Sequence, residues 1–232
     1  YYEALRGPTF DLKKQWDDPN AWTAVPTAAP LGALICPSDG LGGNFSADSP
    51  NLSAKWAKTN YLGIFSGLCD GDNYGDGDGY TGRIYRNAAQ RAVFRPYEGT
   101  PIADITDGTS NTIAVTEYLK GVDSQDTRGV FWSNRAGQQF LYVNLGPNST
   151  AEDRIYRAFC PNYGSPNDLS LNLPCVAGDG SGDYAGARSR HPGGVNAVYC
   201  DGSVHFIQDN IDLAAWQNLG FIADGKIVEN TY

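Results

Sequence analysis

The run GGVNAVYCDGSVHFI, residues 193–207, constrains the fold of this chain more than any other stretch. Two apolar segments, 193–200 and 203–207, flank Asp201-Gly202. Asp-Gly supplies the positive φ values of a two-residue type I′ turn, so the run reads as a β-hairpin. Other short apolar, aromatic and β-branched runs read as further strands: 60–68, 82–87, 92–97, 112–119, 128–134 and 139–145. Glycine and proline punctuate them. With 28 Gly and 13 Pro, much of the chain must be turn and loop. Residues 35–40 read as a strand end entering a turn, and residues 41–58 and 69–80 as loops. Residues 146–187 read as mostly irregular, and a connection of that length is functional or an inserted lobe. IDLAAWQNLG (211–220) reads as a short helix with Gly220 near its C-terminus. Residues 221–229 read as a last small hairpin. The expected fold is mainly β to α+β. It is a single domain over 1–232, built on an antiparallel sheet with long loops and a few short helices.

Charge narrows the partners. The formal net charge of -9 argues against nucleic acid, because phosphate binding needs clustered Lys and Arg. It also argues against docking on an anionic membrane surface. The 26 acids comprise 21 Asp and only 5 Glu. Asp favours turns, caps and oxygen-ligand loops, whereas Glu favours helices. This inventory fits a turn-rich β protein outside the cell. No stretch approaches the roughly 20 apolar residues of a membrane span. The chain begins at Tyr1 and contains no Met, so a processed form, a fragment or the ordered part of something longer is expected.

The residue types that carry chemistry are few. Of five cysteines, Cys160 and Cys175 bracket a loop rich in Pro, Gly and Asn, and a disulfide between them is expected. Cys36 and Cys69 both sit beside Asp-Gly turns, and a second bridge is expected there. Cys200 is then the free, buried thiol. Asp70, Asp72, Asp76 and Asp78 alternate with glycine in the 69–80 loop. Such a chain bends tightly and offers many oxygens, which is what calcium requires; the other reading is a solvated acidic loop. Asp179 and Asp183 form a weaker candidate of the same kind. His191 and Asp201 flank one predicted strand, and ten extended residues span about 33 Å. They are therefore read as architectural: His191 holds the start of the strand by hydrogen bonds and Asp201 makes the turn with Gly202. The DGTSNT loop, with Asp107 and Asn111, is read as a turn whose short side chains bond nearby backbone. No H-E-x-x-H or G-x-S-x-G pattern is present, and no catalytic set is expected. The many Tyr and Trp leave a sugar-binding platform open as a partner surface.

Several of these segments resemble one family: bacterial prepilin-type proteins of unknown function with a C-terminal His, nine residues, Asp-Gly signature. RHPGGVNAVYCDGSVHFI (190–207) is similar to that signature, with His191 followed after nine residues by Asp201-Gly202. ITDGTSNTIAVTE (105–117), ICPSDG (35–40), TNYLG (59–63) and WDDPNAW (16–22) resemble further family motifs in the expected order. The resemblance implies a prepilin leader and apolar N-terminal helix ahead of an exported, pilin-like β-rich domain. Both are expected to be absent from this chain, which leaves membrane contact only through that absent segment. The family has also been labelled solute-binding-like. The expectation is a non-enzymatic structural subunit, extracellular or at the cell surface, that self-associates into a homo-oligomer or filament. The ends, 1–6 and 225–232, carry apolar and aromatic residues suited to burial in neighbouring copies. The alternative is an extracellular module binding a sugar or small solute.

Overall fold

The computed structural model describes residues 30–47, 55–72, 88–95, 99–122, 124, 126–130, 135–156, 160 and 171–226. The expectations for 1–6, 16–22, 82–87 and 131–134 lie outside them. So do the last residues of the C-terminal segment, 227–232, and Asp76 and Asp78. The described elements are mostly β. Strands run in chain order as β1 Phe45–Ala47, β2 Lys55–Ala57, β3 Tyr61–Ile64, β4 Ile113–Glu117, β5 Phe140–Leu141, β6 Asp153–Tyr156, β7 Cys175–Gly178, β8 Gly194–Tyr199 and β9 Val204–Gln208. One α-helix among the described residues, α1, covers Leu213–Gly220.

The main sheet has five strands in the order β5-β3-β4-β8-β9. The pairs β3–β4, β4–β8 and β8–β9 are antiparallel, as expected. Two other pairs are parallel, β3 with β5 and β6 with β7, so the main sheet is mixed. Alternation places Leu62, Ile64, Val195, Ala197 and Ile207 on one face, where they are buried in the core. Helix α1 packs beside β4 and buries Trp216 and Leu219. Asp212 caps it, its carboxylate accepting from the Ala215 N–H at 3.0 Å. On β3 the Phe94 ring lies over Gly63 so closely that a Cβ there would sit 2.7 Å from it.

Four expectations about local structure change. Residues 41–58 are not all loop, because β1 and β2 form an antiparallel pair there. Residues 146–187 carry β6 and β7, which form a parallel two-stranded sheet. The 35–40 segment follows a short 3-10 turn over Gly32–Leu34 rather than a strand. The 193–208 hairpin is present, but its turn is not type I′. Gly202 N–H donates to Tyr199 C=O, and Tyr199 N–H donates to Ser203 C=O, both at 2.9 Å. Gly202 alone takes a positive φ, +87°. This is a three-residue loop, a type I turn closed by a glycine bulge. Asp201 keeps its φ negative because its carboxylate folds over the turn onto the Ser203 N–H and hydroxyl.

The Cys160–Cys175 disulfide is formed. Cys36 and Cys69 are not paired with each other. The thiol of Cys69 lies against Asp72 and the Ser181 carbonyl, while Cys36 faces His191. Cys200 is free but only half-buried. Among the described residues no helix is long and apolar enough to cross a membrane. The disulfide is consistent with export.

Candidate functional site

The polar residues of four sequence motifs converge at one end of the main sheet. Asn60 stands at the head of β3 and is buried. Its side-chain carbonyl accepts from the Cys36 N–H at 3.0 Å, and its amide donates to Asp39 at 2.7 Å and to the Tyr118 carbonyl at 2.9 Å. Asp39 also accepts from the Lys120 N–H at 3.1 Å, and Arg190 stands 3.7 Å away. The turn at 36–40 is thereby pinned to β3 and to the end of β4. Burial lowers the Lys120 ammonium, with Asp39 and Cys36 pulling it back up.

Glu117 closes β4 and is 2% exposed, on a charged side chain that burial would otherwise disfavour. Its carboxylate accepts from the Asn196 N–H at 2.7 Å and the Asn196 side-chain amide at 3.1 Å. His191, just before β8, brings Nε2 to 3.1 Å from Glu117 Oε1. The same Nε2 lies 3.6 Å from Cys36 Sγ. Sγ, Nε2 and Oε1 all lie within 4.8 Å of one another. Tyr61, opposite Glu117 in the β3–β4 register, brings its hydroxyl near Cys36 and Glu117. Burial, with Cys36 and Glu117 nearby, pushes that hydroxyl up to about 12.

This arrangement is not a proton relay. A nucleophilic thiol needs one imidazole nitrogen, with the orienting carboxylate on the other. Here both contacts fall on Nε2, and a single Nε2 proton serves one of them at good geometry. Three donors of different types meeting at one point is instead the pattern of a metal ligand set.

The remaining sequence candidates are dispersed. His191 and Asp201 flank opposite ends of β8 and do not meet. Asp107 is buried and accepts from the Asp224 and Gly225 N–H groups, clasping the segment after α1. Asn111 donates to the Asp107 carbonyl at 2.9 Å. The 107–112 loop in turn supports the hairpin, since Thr109 and Thr112 carbonyls accept from Asp201 and Cys200 N–H groups. Asp70 accepts from the Tyr142 hydroxyl at 2.8 Å, and burial pushes its carboxyl up to about 7. Asp72 accepts from the Leu68 N–H at 2.8 Å. Asp183 turns its oxygens onto the Asp179 and Gly180 N–H groups. The two acidic loops meet, Asp70 N–H donating to the Asp183 carbonyl at 2.7 Å, but the described carboxylates of Asp70, Asp72 and Asp183 each accept from other groups. Glu117 has no spacing that singles it out, and Cys36, expected in a bridge with Cys69, stands beside His191 instead. The local signal for Glu117 is a carboxylate inside the apolar run IAVTEYL.

A family model, SBP_bac_10, described as a protein of unknown function (DUF1559), matches residues 7–214. No curated protein and no solved structure matches the chain.

Proposed function

We propose that this chain, which belongs to the family described as a protein of unknown function (DUF1559), is a pilin- or pseudopilin-like structural subunit. In this reading it is non-enzymatic, acts outside the cell or on its surface, and associates with copies of itself. The observation that carries the reading is strand β9. It forms an edge of the main sheet, and among the described residues no strand pairs with its outer side. On the face away from the core it presents Val204, 61% exposed, and Phe206, 40% exposed. It carries no Lys, Glu or Pro of the kind that protects an edge from pairing. A strand from a second copy would gain backbone hydrogen bonds along that edge and cover the two apolar side chains. The solute-binding alternative has less support. Among the described residues, the groove beside Tyr61, Phe65, Phe94 and Val115 holds about 190 Å³. Ligand pockets commonly enclose about 300–1,000 Å³. Analytical ultracentrifugation and electron microscopy test the proposal. The parent should form oligomers or filaments as concentration rises, and Phe206→Lys should remain monomeric with an unchanged melting temperature. A parent that stays monomeric at high concentration refutes it.

A further inference from the structure

We infer that Cys36, Glu117 and His191 form a binding site for a divalent ion of the zinc class. The ligands are Cys36 Sγ, Glu117 Oε1 and His191 Nε2. In a tetrahedral zinc site, with bonds of about 2.3 Å to sulfur and about 2.1 Å to nitrogen and oxygen, the S···N edge is about 3.6 Å and the N···O edge about 3.4 Å. Here the two edges measure 3.6 Å and 3.1 Å. Charge agrees as well. One thiolate and one carboxylate neutralise a divalent ion, with the imidazole neutral, so the filled site places no net charge in a half-buried setting. The surroundings hold the donors in place, as a ligand's outer partners must. Asn196 grips Glu117 through two hydrogen bonds, and Asn60 fixes the Cys36 backbone.

The donor set selects the metal. Calcium and magnesium require six or more hard oxygens and have no use for a thiolate. Thiolate with imidazole suits zinc, which is redox-inert and tolerates tetrahedral coordination without strain. Three protein ligands leave a fourth position. The His191 side chain is 30% exposed, so solvent reaches that side of the cluster and supplies water there. The three ligands come from the 36–40 turn, the end of β4 and the start of β8. An ion among them would clasp segments far apart in the chain, which is the same joint that Asp39 and Asn60 hold by hydrogen bonds.

The test uses the full chain, stripped with a chelator and titrated with Co²⁺ as a spectroscopic probe. We expect one equivalent to bind, with tetrahedral d–d bands and a thiolate-to-cobalt charge-transfer band, and Zn²⁺ to displace it while Ca²⁺ does not. Cys36→Ser, close in size, should keep the metal-free melting temperature, lose the charge-transfer band and bind more than about 100-fold more weakly. His191→Gln should weaken binding similarly while keeping some charge-transfer intensity, which separates loss of a ligand from loss of fold. Absence of the band in the parent overturns the inference. So does a Cys36→Ser variant that keeps both band and affinity, because the thiolate would then be Cys69 or Cys200.

Discussion

Asp70 shows how a single side chain can work against the fold at neutral pH. It is fully buried, and desolvation raises its carboxyl from 3.8 to about 7 in spite of the hydrogen bond from Tyr142. A raised acid binds its proton more tightly in the folded chain than in the unfolded one. The group therefore costs nothing below about pH 4, where both states are protonated. Stability then falls as pH rises through 7, by up to about 4 kcal/mol. Asp70→Asn removes this titration. In urea titrations the variant should gain on the parent by several kcal/mol between pH 4 and pH 8. A difference between the two proteins that does not change with pH would show that Asp70 is ionised throughout. The same residue shows where sequence reading ran out. Alternating Asp and Gly at 70–78 suggested a solvated or ion-binding loop, because nothing local reports that Tyr142 and Ala136 close over the first Asp. His191 was recognised as holding the start of a strand. Its partners Glu117 and Cys36 lie 74 and 155 residues away, and no spacing encodes such a meeting.

Elements whose signals are local were the legible ones. Strand β4 is legible in the run TIAVTEYL, α1 in 211–220 with Gly220 near its C-terminus, and the hairpin in two strands about an Asp-Gly. Pairings between distant segments were not legible. Strands β6 and β7 run parallel across the intervening 157–174, and β1–β2 pair within a stretch that has little β-branched character. The hairpin turn is one residue longer than the Asp-Gly pair suggests, and the reason is physical. Asp-Gly satisfies a type I′ turn and a glycine bulge alike, and Ser203 decides between them by bonding Asp201. That geometry makes a prediction. A Cβ at position 202 would meet no atom within 4 Å, so any cost of substitution is backbone strain at φ +87° alone. Gly202→Ala should lower stability by about 1 kcal/mol, and Gly202→Asn by less, because Asn tolerates the left-handed region. Denaturant unfolding of the two variants checks the order. An alanine variant as stable as the parent would show that the turn relaxes to another geometry.

Across the whole molecule, the 146–187 segment is fastened to the rest of the fold by buried charge, and one covalent bond ties it together internally. Arg188 reaches from the strand side to Asp153 and to the Ser149 and Ala151 carbonyls, with Tyr118 completing the Asp153 shell at 2.9 Å. Arg128 pairs with Asp126 and donates to the Leu173 carbonyl at 2.7 Å. Both arginines stay charged, because their carboxylates offset the burial that would lower them. Such pairs add definition to the joint more than net stability, since desolvation consumes most of the Coulombic gain. The disulfide acts differently. Cys160 follows β6 and Cys175 opens β7, and both are buried in the core near Leu173 and Ile155. The bond closes a sequence separation of 15 residues. Restricting the unfolded chain over a loop of that size stabilises the native state by about 3 kcal/mol. For a protein of this length that corresponds to roughly 6–12 °C in melting temperature. The Cys160→Ala/Cys175→Ala double variant should therefore melt lower than the oxidised parent by about that interval. Non-reducing peptide mapping of native material should recover the 160–175 link, with Cys36, Cys69 and Cys200 unlinked. Five free thiols in native protein, or a double variant that melts with the parent, would mean that the β6–β7 lobe is held by packing and by the two arginines alone.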